Sequence, residues 1–331
     1  MKEEFKDLNK FRKSAYKKDE KQENFLEDFN KYLLDKEIKE YDDFPIKHPF
    51  LFVIGAPRSG TTLLTQLIAN TFDISYINNL SARFFLAPLH GIRFSKTVLG
   101  DTRKSSFHSD YARTQGLNEI HEFGYFWRYW LNKHSFDDIT YAREKEDKID
   151  WTGVKKVLST LQNETERAFI FKNIYGSYHM KKFVDLLEKV IFVYIERDEL
   201  DTAVSILNAR KKYNTDLNIW WSYQPLEYNQ IKDLDYWGQI AGQIYYLQRF
   251  YLKEMKQLPE KNVMKIAYKE MCEDPASIIE QIKEKCKMHE NYDIPVINDV
   301  PEKFPYRKYE NTDEEKKIFR QKFEALRNGK I

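Results

Sequence analysis

The stretch PFLFVIGAPRSGTTLL, from Pro49 to Leu64, constrains this chain more than any other. FLFVI is a short, continuously apolar run, the pattern of a strand buried on both faces of a parallel sheet. It stops at Gly55, a tight segment closes at Gly60, and TTLLTQLIANTF continues as an amphipathic helix. Strand, glycine loop and helix in that order leave the first N–H groups of the helix without intrahelical partners. The positive end of the helix dipole adds to them, so the loop suits an anion. Gly55 and Gly60 permit close backbone approach, Arg58 offers a charge-assisted bond, and Thr61 and Thr62 offer hydroxyls. A nucleoside triphosphatase would carry Lys directly after the second glycine, and would hold Mg²⁺ with a hydroxyl and an acidic strand end. Thr61 stands in the Lys position. The later strand VIFVYIERD does end in acid, but Arg197 separates Glu196 from Asp198, which is awkward for a metal.

Three further runs share the strand character: AFIFKN from Ala168, VIFVYIERD from Val190 and NVMKIAY from Asn262. Helical patterns follow them in MKKFVDLLEK, DTAVSILNARKK and PASIIEQIKEKC. Such alternation predicts parallel βαβ units with right-handed crossovers, hence an α/β fold with a central, mostly parallel sheet between helical layers. With 331 residues, 42% of them hydrophobic, the chain can bury one large domain. We expect that domain over residues 46–331, with helical insertions, after a charged helical arm over residues 1–45. Phe25, Phe29, Tyr32 and Leu33 put a greasy stripe on the arm, for docking on the body or on a second subunit in a homo-oligomer. The segment from Gln230 to Lys256 reads as one long helix.

Net charge is +2, from 54 basic and 52 acidic residues, so nothing marks a nucleic-acid partner. No apolar run reaches membrane-spanning length, and MKEEFKDLNKFRKSAYKKDEKQ lacks the apolar core of a signal peptide. Cys272 and Cys286 show no metal-ligand spacing and read as reduced thiols. A cytoplasmic location is the expectation.

With those residues in view, GAPRSGTTLL resembles the 5′-phosphosulfate loop of sulfotransferases that use 3′-phosphoadenosine 5′-phosphosulfate (PAPS). The match is to the branch reading PRSGTT rather than PKSGTT. VIFVYIERDELDTAVSILNAR is similar to that family's strand–RDP–helix element with its downstream Ser. NVMKIAYKEMCEDPASIIEQI resembles its late "YEDL…DP" stretch, and AFIFKN, with Lys172, resembles its mid-chain strand. Together these cover about Phe50 to Met288.

The resemblance implies a P-loop-like fold and transfer of a sulfuryl group from PAPS to an acceptor hydroxyl or amine. Adenosine 3′,5′-bisphosphate is released and no metal is used. It also implies that Ser59, Gly60, Thr61, Thr62 and Leu63 cradle the 5′-phosphosulfate. Arg58 would replace the family's catalytic Lys, and Arg197 and Ser205 would bind the 3′-phosphate. The chain departs from the pattern in three places. The proline of RDP is Glu199 here, which leaves Asp198 as the expected N-cap. Tyr268-Lys269-Glu270-Met271 displaces the acid of YEDL, and ISYINNLSARFF lacks the catalytic Glu that some relatives carry after the first helix.

An acceptor hydroxyl needs a general base. LNEIHEFGYFWRYWLNKH offers Glu119, His121 and Glu122 beside Phe123, Tyr125, Phe126, Trp127 and Trp130. Such a half-buried setting can move a pKa toward neutrality; we take His121 first and Glu122 second. His90, His108, His134 and His179 read as surface or packing residues. Trp220 and Trp221 either stack on a flat acceptor or anchor a lid, and the resemblance implies that Arg307 with Lys308 closes over the nucleotide phosphates as a late basic loop does in relatives. The acceptor, a small molecule or a glycan, is not legible, because acceptor loops carry no motif. Two other readings stay open: an atypical P-loop kinase or NTPase, and a non-enzymatic nucleotide-binding assembly protein. ATP with Mg²⁺ would mark the first, and indifference to loss of Arg58 the second.

Overall fold

The computed structural model describes residues 8–101, 105–111, 113–172, 174–307 and 312–330. Phe50–Ile54 (β1) is buried along its whole length, as a run with no polar face must be. It lies at the centre of a five-stranded sheet with Ile74–Tyr76 (β2), Ala168–Lys172 (β3), Val190–Glu196 (β4) and Val263–Ala267 (β5). The order is β2-β3-β1-β4-β5, and every pair is parallel. The α/β class read from the alternation is therefore correct, and the glycine loop leaves the middle strand as in P-loop-like folds. β2 was not legible: three residues at a sheet edge are too few to show a period.

Helices cover both faces: α1 (Glu20–Glu37), α2 (Thr61–Thr71), α3 (Pro88–Leu99), α4 (Gly124–Trp130), α5 (Trp151–Thr165), α6 (Met180–Leu187), α7 (Glu199–Tyr213), α8 (Tyr236–Met255), α9 (Tyr268–Glu273), α10 (Pro275–Lys287) and α11 (Asp313–Arg327). Because side chains alternate along a strand, Phe50 and Phe52 enter one core with Phe171, Phe192 and Trp127. Leu51 and Val53 enter another with Leu64 and Leu67 of α2 and Ile278 and Ile282 of α10. A third cluster, with Val204, Ile244 and Phe323 among its members, joins α7, α8 and α11. It fixes α7, and with it Ser205.

One helical expectation needs correction. The stretch 230–256 is broken: a single turn, Tyr228–Ile231, precedes α8. Asp235 caps α8 by accepting from Gly238 N at 2.7 Å, and a side chain that bonds the backbone locally starts a helix more readily than it continues one. The greasy stripe is divided: Phe29 packs edge-on against Phe84 of the body with ring centres 5.4 Å apart and Leu33 is half-buried, whereas Phe25 and Tyr32 are 66% and 73% exposed. Leu26 and Leu34 pack against the main core, and polar residues add specific anchors. Asn30 donates to Arg83 O (2.7 Å) and accepts from Leu86 N (2.8 Å). Glu37 accepts from Leu89 N at 2.6 Å, which caps α3 from a neighbouring helix. Satisfying a buried helix end outweighs covering two aromatic rings that tolerate water.

Among the described residues no helix is long and apolar enough to cross a membrane. Cys272 and Cys286 are free and buried.

Candidate functional site

Register brings the site residues to one edge. Val53 lies beside Lys172 and Ile54 beside Tyr194, so Gly55, the end of β3 and the end of β4 share the carboxyl edge of the sheet. Open α/β sheets bind ligands at that edge. The glycines of the loop are sterically required. A Cβ at Gly55 would stand 2.5 Å from Ser59 Oγ and 2.7 Å from the Ile195 carbonyl. At Gly60, where φ is +106°, it would stand 2.4 Å from the Tyr268 ring. Arg58 has φ 71°, a left-handed state that a residue with a Cβ adopts where its surroundings enforce it. That constraint is visible: Arg197 Nη1 donates to Arg58 O at 3.2 Å, and Arg58 Nε donates to Ser205 Oγ at 3.0 Å. The Arg58 guanidinium also lies 4.8 Å from the centre of the Tyr111 ring.

Leu64 N bonds Gly60 O at 3.0 Å and opens the helical ladder. The N–H groups of Thr61, Thr62 and Leu63 precede it, and these residues line a cavity of about 250 Å³. Arg58, Gly60 and Arg197 line it too. Ser59 and Ser205 do not: both are buried behind the wall, and Ser205 reaches the cavity only through Arg58. Arg307 is on the wall, and its carbonyl accepts from Arg197 Nη2; Lys308 lies outside the described residues. Asp198 caps α7, accepting from Leu200 N and Asp201 N, as expected. Glu196 pairs with Lys265 at 2.7 Å.

Of the three acids and bases considered, the structure places Glu122 on the cavity wall. Burial works to raise its pKa, but the charge and hydrogen bond of Lys172, helped by His121 and Arg58, hold it below the usual carboxylate range. Glu122 is therefore an ionised acceptor at neutral pH. His121 is adjacent but not on that wall. Its Nδ1 accepts from Phe123 N at 2.9 Å, so the ring proton sits on Nε2; the residue is exposed to solvent, and partial desolvation by the neighbouring chain lowers its pKa. Glu119 is buried and holds the loop that carries Ser106 to Ser109. It accepts from Gln66 Nε2 (3.0 Å), Ser105 Oγ (3.2 Å) and Ser106 N.

Sequence reasoning missed how Lys172 is used. Its Nζ donates to Thr62 Oγ1 at 2.9 Å and to Glu122, so a cation reaches the loop from β3. The signal was a lone charge at the end of a buried strand run. Tyr268 was missed as well: it seals Gly60 and places its ring 4.7 Å from the Arg197 guanidinium. His108 lines the cavity, unlike His179, which is buried against Glu146 at 2.5 Å. The tryptophan pair divides: Trp220 is core, while Trp221 lines the cavity.

The family model described as "Sulfotransferase family" matches residues 49–291, well over half of the chain. No curated protein matches. Among solved structures, the chain is similar to the sulfotransferase STF9 from Mycobacterium avium, at 15% identity over 88% of this chain and 71% of that one, with a TM-score of 0.48. It is also similar to the sulfotransferase STF1 from Mycobacterium tuberculosis H37Rv, at 16% identity over 76% and 72% of the two chains, with a TM-score of 0.47. The sulfotransferase domain from the Synechococcus PCC 7002 olefin synthase matches at 15% identity over 74% and 75%, with a TM-score of 0.41.

Proposed function

This chain belongs to the sulfotransferase family, and from that premise we propose that it transfers a sulfuryl group from PAPS to an acceptor hydroxyl, releasing adenosine 3′,5′-bisphosphate. One observation carries the reading: Arg58, Lys172, Arg197 and Arg307 share the wall of a single cavity with one carboxylate, Glu122. A donor with a phosphate at one end and a phosphosulfate at the other supplies the several negative charges that such a wall favours.

In this reading the amides of Thr61 to Leu63 and the hydroxyls of Thr61 and Thr62, in the loop shaped by Ser59 and Gly60, hold the 5′ group at the start of α2. Arg197 takes the 3′-phosphate with Arg307 beside it. Ser205 acts through Arg58, whose Nε it fixes. Glu122 accepts the proton of the acceptor hydroxyl as that oxygen attacks sulfur. The new O–S bond forms while the bond from sulfur to the bridging phosphate oxygen breaks, and the electron pair stays on the phosphate. Arg58 and Lys172 stabilise that developing charge, so positive charge comes from side chains rather than a metal. Glu122 is preferred to His121 because it is on the wall, while Nδ1 of His121 is already engaged. Saccharides are among the hydroxyl acceptors of this reaction type. Two free thiols fit a reducing compartment, and we assign the reaction to the cytoplasm.

Calorimetric titration of adenosine 3′,5′-bisphosphate against ADP tests the donor assignment. We expect tighter binding of the 3′-phosphorylated nucleotide, and loss of that preference in Arg197→Ala. Equal affinities in the unaltered protein would overturn the reading.

A further inference from the structure

A second cavity, of about 470 Å³, adjoins the first and shares Glu122, Ile174 and Ser222 with it. At this boundary Ser222 has φ 67°, a left-handed state that non-glycine residues keep where the surroundings enforce it. The far wall comes from the N-terminal segment: Leu8, Asn9, Arg12 and Lys18, then Glu23 and Leu26 of α1. This segment is anchored to the body, because Lys13 N donates to Tyr213 O and Thr215 N to Phe11 O, both at 2.9 Å.

The chemistry of that wall is specific. Tyr125, Phe136, Tyr175 and Tyr223 offer flat faces, which suit a ring. Arg12 and Lys18 act on Glu23, and Arg128 stands on the same wall, which also carries Glu20, Glu27 and Glu122. Lys18 Nζ bonds Glu23 at 2.8 Å, and the Arg128 guanidinium lies 4.9 Å from the Tyr125 ring centre. Glu27 is engaged by Lys31 at 3.0 Å, and Glu20 is exposed at the rim. Burial depresses the pKa of both Arg12 and Lys18, while Glu23 pulls each the other way. Two wall atoms are buried without a hydrogen-bond partner, Arg12 Nη1 and Gln224 Oε1. One is a charged donor and the other an acceptor, and a buried polar atom left unpaired is costly.

We infer that this cavity is the acceptor site, with the N-terminal segment as its selective wall, and that it takes a hydroxylated ring compound bearing one negative charge. The reacting hydroxyl faces Glu122, the anionic group meets Arg12 Nη1, and a second hydroxyl donates to Gln224 Oε1. The inference rests on the sulfuryl-transfer reading for the word acceptor. The volume falls in the range of small-molecule sites.

The test titrates methyl glucuronide, methyl glucoside and glucosamine, which carry negative, no and positive charge on similar rings. Each is run with and without saturating adenosine 3′,5′-bisphosphate. A charge-assisted bond at Arg12 predicts that the glucuronide binds about tenfold or more tightly than the glucoside, and the glucosamine weakest. Arg12→Gln removes the preference and Arg12→Lys restores part of it, with melting temperatures confirming that both variants fold. Equal binding of the three sugars, binding of none, or a preference that survives Arg12→Gln would overturn the inference. The two readings fail separately. Loss of the 3′-phosphate preference with glucuronide binding intact sinks only the donor assignment, whereas nucleotide binding without charge selection among the sugars sinks only this one.

Discussion

The two cavities that meet at Glu122 are built by different means. The first takes its wall from strand ends: Gly55 after β1, Lys172 at the end of β3 and Arg197 after β4. Their relative positions follow from a hydrogen-bonded register that the two cores on either side of the sheet enforce. The second takes its wall from the segment before β1, the start of α4 and the loop around Ser222 to Gln224. Side-chain packing and a few backbone bonds place those pieces. Backbone geometry can hold a phosphate because a phosphate asks only for N–H groups and positive charge. An acceptor asks for shape and for hydrogen bonds matched to one molecule, which loops supply and sheets do not. If the first cavity takes the donor and the second the acceptor, as proposed, the division between them is one between register and packing.

The largest effect should come from the residue common to both cavities. Glu122→Gln keeps the size and the hydrogen-bonding oxygen while removing the basicity, and general-base catalysis contributes about 10²–10⁴-fold. We expect turnover to fall by that order, with nucleotide and sugar affinities nearly unchanged. Steady-state kinetics beside calorimetry will show the split. Unchanged turnover would transfer the role to another group and break the symmetry between the cavities.

Next in size is a change confined to the register-built side. Gly60→Ala forces a left-handed residue, at about 1–2 kcal/mol, and drives a methyl toward the Tyr268 ring, 2.4 Å from where that Cβ would sit. Chemical denaturation should show at least this loss. Nucleotide binding should vanish while the glucuronide still binds in the second cavity. Simultaneous loss of both ligands, with the fold intact, would mean that the two walls are not independent.

The same contrast explains what the sequence could reveal. PFLFVIGAPRSGTT announces its structure because every residue in it is constrained by something local: burial on two faces, a glycine that admits no Cβ, a helix start. The strand-end position of Arg197 and the cap at Asp198 were legible for the same reason. The role of Lys172 was not, because it depends on β3 lying beside β1, a fact of topology rather than of spacing. Choosing Glu122 over His121 needed to know which side chain reaches the wall. Arg12 was invisible, since its use depends on a segment folding back across some 200 residues of sequence to Tyr213 and Thr215.

The smallest expected effect concerns the ion pair at the boundary. Lys172 is nearly buried, with 5% of its side chain exposed, whereas Glu122 keeps 39% exposure. Solvent screening therefore limits the pair to no more than about 1 kcal/mol. The direction with pH is fixed by the lowered pKa of Glu122 in the fold. Its unfolded value is near the ordinary glutamate figure of about 4.3, so between the folded and unfolded values the unfolded chain binds more protons and stability rises with pH. The contribution is complete above the unfolded value and disappears as pH falls through the folded one. Urea unfolding of the unaltered protein and of Glu122→Gln, compared at pH 7 and at steps down to pH 3, isolates it, because the other carboxylates cancel in the difference. The stability gap between the two proteins should narrow on acidification below about pH 4.3. A gap that stays constant across that range would show that Glu122 is not ionised against Lys172 in the resting protein, and would remove the physical basis for choosing it as the base.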